Sequence, residues 1–379
     1  MRIGIVAPEF PPDIGGAETY SYQFTRELAR RGHEVTVFTV RHRQGEVALP
    51  GVTVVTGLKL CRNMDWKILK DCSIDGWHVM NAAYSWIALE TGSVVVSVHG
   101  NDFLRPYYPV ARPGLGRFPG MWRFESRLAS IEKFVGERLT PALLRRSLPK
   151  ARHILANSCY TERIFLEHFP ECAGKTSAAM VGVAEEFFNV ERPARQANAI
   201  TQLLTICRLS EPRKNVESVL RALERLKGRF EFRYTVIGDG HLRPGLEALC
   251  SELGLGKRVT FAGYLPNEEV RQRLADSDLF ILASSVQPES HEGFGIVYLE
   301  ANACGIPVLA ARLAGAVEAV AEGESGFFVI KPSVESLTRA LESFMSGRVR
   351  FESEACRSFA RRFSWQKVVD HSMDFYPKG

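Results

Sequence analysis

No CxxC pair occurs among the eight cysteines (Cys61, Cys72, Cys159, Cys172, Cys207, Cys250, Cys304 and Cys356), and no cysteine–histidine cluster has zinc-site spacing. That dispersion excludes a zinc-ribbon or disulfide-framework scaffold. It fits free thiols, most of them buried, in a reducing compartment. Long apolar runs are lacking too. None reaches the roughly 18 residues that a bilayer-spanning helix needs. The opening MRIGIVAPEF has one arginine and a short β-like run, without the apolar core and small-residue cleavage site of a signal peptide. The expectation is the first strand of a cytoplasmic protein. There is no GxGxxG fingerprint, which leaves a nicotinamide or flavin cofactor little support, and no recognised nucleic-acid motif, so no nucleic-acid partner is expected.

What is present is a long, ordinary globular composition. The 379 residues, 45% hydrophobic and 24% charged, exceed one α/β core and suit two domains of similar size. Strand and helix patterns alternate. RIGIVA (2–7) reads as a strand, AETYSYQFTRELARRG as a helix stopped by Gly32, and EVTVFTV as a strand, so a parallel βαβ unit is expected. Further strands are expected at 52–55, 94–98 and 153–156, the last followed by a helix capped by Asn157 and Ser158. After a polar stretch at 189–200 the alternation restarts: TQLLTIC, FRYTVIG, RVTFAG, DLFILAS, PVLAA and GFFVI read as strands separated by helical segments. Two consecutive doubly wound domains follow, and such sheets bind ligands at the carboxyl ends of their strands. The last segment, SWQKVVDHSMDFY, reads as an amphipathic helix whose composition does not say which domain it packs on.

The net charge of +5 is unevenly spread. Between Arg105 and Arg152 eleven basic residues face only three acidic ones, with Tyr107, Tyr108, Phe118, Trp122 and Phe124 among them. The segment is either a solvated helix face or a patch for anionic lipid or an anionic substrate. In the former case the protein is simply cytoplasmic; in the latter it is peripheral on the inner face of the membrane.

Candidate chemistry lies in the loops after strands. PEFPPDIGGAETY opens a helix, and Gly15 and Gly16 let a phosphate or sugar approach the backbone and the helix amides. SVHGND puts His99 at a strand's carboxyl end. ICRLSEPRKN carries Arg208, Arg213 and Lys214 ahead of a helix, cations that suit a leaving diphosphate. VIGDG is a strand-ending glycine turn. Asp276-Ser277-Asp278 forms a DxD, either a metal-holding motif or, as we read it, a turn and cap. In HEGFGIVYLE, Glu292 sits in a loop, Phe294 and Gly295 at a helix start, and Glu300 about two turns in, so the two acids would reach different parts of one long ligand rather than form a dyad.

Taken together these residues resemble the family 4 retaining glycosyltransferases. The resemblance rests on Glu292-x7-Glu300 within EGFGIVYLEANACGIPVLA. It is joined in order by GGAE (15–18), HGND (99–102), ANS (156–158), RLSEPRKN (208–215), GDG (238–240) and FSW (363–365). It implies the GT-B architecture: two Rossmann-like domains facing a central cleft, with an acceptor domain at 1–192, a nucleotide-sugar domain at 193–358, and a final helix at 359–379 crossing back to the first. It further implies that Gly15 and Gly16 approach the donor phosphates and that His99 contacts the transferred sugar. Arg208 and Lys214 would neutralise the diphosphate, Gly238 and Tyr264 would lie by the nucleotide, Glu292 would hold sugar hydroxyls beside the amides of Gly293, Phe294 and Gly295, and Glu300 would bind the ribose.

The reaction so implied moves a hexose from a UDP- or GDP-sugar to an acceptor hydroxyl with retention, without metal or other cofactor. The acceptor would be a lipid-linked or cell-envelope saccharide, and domain closure would exclude water. Two other readings stay open on sequence alone: a GT-B-like sugar-nucleotide epimerase, and a sugar-nucleotide-binding module without activity. The sequence departs from the family pattern in flanking positions. Cys207 and Asn215 stand where the family often has glycine, and Ala314 begins a later Gly-Gly-x-x-Glu.

Overall fold

Short runs of β-branched and apolar residues set the strands, and those at the centre of each sheet are buried on both faces. β1 (Arg2–Val6), β2 (Glu34–Val40), β3 (Val52–Leu58), β4 (Gly76–Val79), β5 (Val94–Val98), β6 (His153–Ala156) and β7 (Thr176–Ala178) pair in the order β3-β2-β1-β4-β5-β6-β7, all parallel. A second sheet contains β8 (Thr201–Ile206), β9 (Phe232–Ile237), β10 (Val259–Gly263), β11 (Leu279–Leu282), β12 (Val308–Ala311) and β13 (Gly326–Val329). Its order is β10-β9-β8-β11-β12-β13, again parallel throughout. In each sheet the strand order reverses beside the first strand, which creates the switch point where doubly wound folds bind ligands. This computed structural model describes residues 1–41, 48–114, 125–193 and 200–378, with the side chains of 125–129 excepted.

The chain forms two compact units, Met1–Val181 with Trp365–Gly379, and Gly182–Ser364. In the first, Val79, Val94, Val96, Trp86 and Phe165 belong to one continuous buried core. In the second, the helix Val216–Leu226 buries Val216, Val219, Leu220, Leu223 and Leu226, a 3.6-residue stripe laid on the sheet with Leu203, Tyr234 and Ile281. The two doubly wound domains read from the sequence are present, and most predicted strands and helices fall within a residue or two of their expected places.

Residues 182–193 belong with the second unit. Arg357 donates to the carbonyls of Phe188 (2.7 Å) and Val190 (3.0 Å), and Arg192 donates to those of Gly305 and Ser277 (both 2.9 Å). Most of the polar stretch read as a linker, 194–199, lies outside the described residues. The helix Trp365–Met373 belongs to the first unit, where Trp365, Val368 and Val369 are buried and Arg31 binds Asp370 (2.6 Å) and the Gln366 carbonyl (2.9 Å).

Two strands escaped the sequence reading. β4, GWHV, hides a fully buried histidine in a run without apolar periodicity, and β7 is only three residues long. Thr205 at the end of β8 is likewise polar yet buried. Its hydroxyl pairs with Tyr234 (2.7 Å), which meets the requirement that buried polar groups find partners. All eight cysteines are free, five of them buried.

Candidate active site

In the second unit the carboxyl ends of four adjacent strands carry the expected donor-side residues. Arg208 follows β8, Gly238 follows β9, Tyr264 follows β10, and the loop holding Glu292 follows β11. Arg208 and Tyr264 are exposed there. The tightest cluster is built around Glu292. Its Oε2 accepts from Lys214 Nζ (2.7 Å), Ser284 Oγ (3.0 Å) and Arg213 Nη1 (3.3 Å). Arg213 is buried and also pairs with Glu211 (2.5 Å) and Ser290 Oγ (2.8 Å). Burial would push the Glu292 carboxyl up, but Lys214 and Arg213 overcome it and hold the group at about 2. Neighbouring His291 is pushed down to about 4 by burial and by Arg213, so it is neutral at pH 7.

Lys214 therefore joins Glu292 as part of one charged cluster, and the partner that completes it is Arg213. The sequence showed Arg213 only as one cation of three. Its deep burial, with Arg208 left exposed, is a tertiary fact.

Glu300 lies in the helix Ile296–Ala303 and is 8% exposed. Burial alone pushes its carboxyl up to about 7. Among the described residues none hydrogen-bonds or ion-pairs with that carboxyl, whereas Oε2 of Glu292 accepts from three donors. The two acids of HEGFGIVYLE thus sit in opposite electrostatic states. Between them Tyr298 packs on Phe280 and donates to the Leu282 carbonyl (2.8 Å), a packing role.

Backbone geometry explains the glycines of this loop. Gly295 adopts a left-handed conformation (φ 90°), and a Cβ there would lie 2.3 Å from the Tyr298 ring. A Cβ on Gly238 would strike the Cys207 carbonyl at 2.0 Å, so the GDG turn packs directly on the end of β8. The Phe294 side chain is buried against Phe363 (5.7 Å between centroids), leaving only its backbone to serve a ligand.

Two departures from the family pattern fall on left-handed positions. Asn215 (φ 57°) tolerates the conformation, and its amide donates to the Ala283 carbonyl and Ser285 Oγ, both at 2.7 Å. Ala314 (φ 53°) has no such compensation. Ala314→Gly should raise stability by up to about 1 kcal/mol, the left-handed strain relieved less the added backbone entropy. A denaturant midpoint unchanged or lowered would contradict this.

The DxD is a turn and cap. Asp278 accepts from the Gln202 amide (2.7 Å) while its own amide donates to the Gln202 carbonyl (2.8 Å), and Asp276 accepts from Gln272 (3.2 Å). It stands at the amino end of β11, the wrong end of the sheet for ligands. Among the described residues no group of three or more His, Cys, Asp or Glu side chains is arranged to hold a metal.

In the first unit Gly15 is the extended residue preceding the helix Gly16–Arg30, and His99 directly follows β5. Asp102 orders this loop: its Oδ1 accepts from the His99 amide and its Oδ2 from the Ala82 amide, both at 2.9 Å. The His99 ring donates from Nε2 to the Met80 carbonyl (3.1 Å), which leaves Nδ1 as the lone-pair nitrogen. Burial lowers its pKa against the opposing pull of Asp102 and Glu18, so the ring is neutral.

Glu9, a charged residue of the PEFPPDIGG loop read as functional, gathers partners that the sequence did not connect with it. Glu9 accepts from Tyr107 Oη and from Asn81 Nδ2 (2.9 Å), and burial pushes it up to about 7 despite both hydrogen bonds. Tyr107, read from the sequence as part of a basic aromatic surface, is committed to this acid. Asn81 carried no signal, because β4 before it was not recognised.

Two family models match the chain in order: Glycosyltransferase Family 4 over residues 14–178 and Glycosyl transferases group 1 over residues 191–363. A GDP-mannose-dependent α-(1-6)-phosphatidylinositol monomannoside mannosyltransferase from Mycolicibacterium smegmatis is 26% identical, covering 90% of this chain and 88% of its own. A D-inositol 3-phosphate glycosyltransferase from Rhodococcus opacus is 25% identical over 96% and 86%. Among solved structures, sucrose-phosphate synthase from Thermosynechococcus elongatus superposes with a TM-score of 0.75 at 19% identity, covering 98% and 97%. Anabaena HepE in complex with UDP-glucose superposes with a TM-score of 0.72 at 20% identity, covering 99% and 98%. At such identities the structural likeness is one of fold. With both family models matched over most of its length on two Rossmann-like units, the chain belongs to the family 4, group 1 glycosyltransferases of the GT-B fold and is a hexosyltransferase.

Proposed function

We propose that this enzyme moves a hexose, with retention, from a nucleoside-diphosphate sugar to a hydroxyl of a lipid-linked or envelope saccharide. The observation that carries the donor half is the pair of acids in opposite states. Glu292, ionised and anchored by Lys214 and Arg213, accepts from sugar hydroxyls. Glu300, buried without an internal partner, binds the ribose diol. Negative charge developing on the departing diphosphate is met by Lys214 and Arg208, with the amides of Gly293, Phe294 and Gly295 and of the Gly15–Gly16 turn as further donors. Gly238 and Tyr264 border the nucleotide. His99 presents a neutral ring to the transferred sugar. No metal or other cofactor takes part. Retention follows if the acceptor attacks the face that the leaving phosphate vacates, the phosphate oxygen taking the acceptor proton.

The relatives named above act on phosphatidylinositol monomannoside and inositol phosphate, and a further one, from Rhizobium meliloti, is a lipopolysaccharide core glycosyltransferase 32% identical over 42% of this chain. The first and the last of these support a lipid-linked or envelope acceptor. A thermal-shift screen with UDP, GDP and their sugars identifies the donor, since a ligand that binds only the folded state raises the melting temperature. No shift with any of them would contradict the donor reading.

Membrane contact is part of the same proposal. The helix Glu125–Ser147 turns Glu132, Thr140, Leu144 and Ser147 inward and exposes Ile131 (57%) and Phe134 (53%), with Arg138 4.3 Å over the Phe134 ring and Arg145 on the same outer face. Apolar residues beside arginines suit an anionic bilayer surface. Phe118, Trp122, Phe124, Arg117 and Arg123, and the Arg127 side chain, lie outside the described residues. No described helix is long and apolar enough to cross a membrane. The protein should sediment with anionic vesicles at low salt and be released at high salt. Failure to sediment at low salt removes the reason for this surface.

A further inference from the structure

His99 is backed by a line of buried polar side chains that ends in the carboxyl-terminal segment. The Tyr20 ring meets the His99 ring edge-on, with centroids 4.8 Å apart and planes at 73°. Tyr20 Oη lies 3.3 Å from Ser97 Oγ, Ser97 Oγ lies 2.8 Å from His78 Nε2, and His78 Nδ1 lies 2.7 Å from Tyr376 Oη. Trp365, the first residue of the last helix, packs edge-on against Tyr20 at 5.2 Å. Tyr20, His78, Ser97, Trp365 and Tyr376 are all at least nine-tenths buried.

Such a line is an expensive way to fill a core. Polar groups taken out of water need every partner in place, and apolar residues of the same volume would pack without that demand. What the hydrogen bonds add is direction. His78 is pushed down to about 3 by burial and is neutral, so one ring nitrogen donates and the other accepts, and both face a hydroxyl. Each bond helps fix the rotamer of the next side chain; the last one holds the hydroxyl end of Tyr20, and Trp365, packed edge-on, holds the plane of the ring that meets His99. The strand is shaped to admit this arrangement: a Cβ on Gly76 in β4 would lie 2.9 Å from the Tyr376 ring and 3.2 Å from Pro377.

We propose that Tyr20 is a positioning residue for His99, locked from the carboxyl-terminal segment by Tyr376 acting through His78 and Ser97. The inference rests on the reading above that His99 touches the transferred sugar. Its Nε2 is tied to Met80, so the orientation of Nδ1 depends on what braces the ring face, and that brace is Tyr20. The carboxyl-terminal segment thereby holds part of the reaction centre.

The test uses the full chain and measures nucleotide release from the matched donor sugar, with water or an added saccharide as acceptor, for Tyr20→Leu, Tyr20→Phe, Tyr376→Phe and His99→Ala. Removing the brace misplaces a reacting group, so Tyr20→Leu should lower kcat roughly 10- to 100-fold. The donor KM and the nucleotide-induced rise in melting temperature should stay within about twofold of their original size, because the nucleotide assignments all lie in the other unit apart from the Gly15–Gly16 turn. Tyr20→Phe keeps the ring but cuts the line at its last bond, so it should recover only part of the loss, and Tyr376→Phe, which cuts the line farther back, should give a kcat defect no larger than that of Tyr20→Phe. In ¹⁵N-histidine spectra the His99 ring, held as the Nε2–H tautomer in the unaltered protein, should become a tautomer mixture in Tyr20→Leu and shift in Tyr376→Phe. A kcat loss matched by an equal loss of nucleotide binding would mark a merely structural role and overturn the proposal. So would unaltered kcat and His99 signals in Tyr20→Leu and Tyr376→Phe while His99→Ala is inactive. Full turnover in His99→Ala would instead overturn the histidine assignment, and this inference with it. Should Tyr20→Leu not fold, the two phenylalanine variants, each lacking one oxygen, decide through the His99 signals.

Discussion

Lys214→Ala should lower turnover by about two orders of magnitude or more, the usual consequence of removing a donor that meets developing charge. Two things change at once. The departing diphosphate loses a cation, and Glu292 loses its shortest ion pair, the 2.7 Å contact from Lys214 Nζ. Arg213 and Ser284 remain on the same oxygen, so the loop keeps its shape and the defect should be in kcat more than in folding. Arg208→Ala, altering an exposed side chain, should show a comparable kinetic loss with a smaller fall in melting temperature than that of Arg213→Ala. Near-normal turnover in both variants would defeat the diphosphate assignment. Arg213→Ala is different in kind. It strips a buried guanidinium from two carboxylates, and breaking a buried pair costs roughly 3–5 kcal/mol, so loss of fold should precede any kinetic reading.

Glu300→Gln should make the protein more stable while it weakens nucleotide binding. Burial holds the Glu300 carboxyl near 7, above its unfolded value of 4.5. The folded state therefore keeps a proton that the unfolded chain releases, and stability falls as pH rises from 4.5 through 7. Above that window the penalty is on the order of 3 kcal/mol, from 1.36 kcal/mol per unit. Glutamine carries no such penalty, so its stabilisation should be small near pH 5 and full near pH 8, read as a denaturant midpoint at each pH.

Glu292 works in the opposite sense. Its depressed value, about 2, gives stability that is fully present above 4.5 and lost as pH falls through 2. For Glu300 the binding side follows from charge. A carboxylate accepting from two ribose hydroxyls is worth roughly 1.5–3 kcal/mol more than an amide left short of an acceptor, a loss of about 10- to 100-fold in affinity. In the unaltered protein nucleotide affinity should climb as pH rises through 7, and in Glu300→Gln that slope should vanish. A variant that binds nucleotide normally, or that is less stable at pH 8, would remove Glu300 from the ribose.

Most of the secondary structure was legible because its physical cause is local. Gly16–Arg30 and Val216–Leu226 repeat their apolar residues at helical spacing, and β1, β2 and β8 are short β-branched runs between turn residues. Of the two exceptions, β7 is too short to show a pattern, and the burial of β4 is dictated by distant partners. β4 places His78 in a fully buried strand only because Ser97 and Tyr376, the latter 298 residues away, supply its hydrogen bonds. The site divides in the same way. Strand-end position marked His99, Arg208, Gly238 and Glu292 for attention, since strand-to-helix loops can be located by pattern. Asn81, after the unrecognised strand, could not be found.

By itself the sequence determined the class of enzyme and the two doubly wound domains, and it singled out the stretch from Glu292 to Glu300, because chain order and motif spacing are one-dimensional properties. Only the tertiary structure decided what state each charge is in. It buried Arg213 rather than Arg208 beside Lys214, paired Glu292 with both cations while leaving the Glu300 carboxyl without a partner among the described residues, committed Tyr107 to Glu9, and brought Tyr376 behind His99. Protonation and ion pairing depend on distance and on exclusion of water, and both are set by which strands and helices pack together, not by where residues stand along the chain.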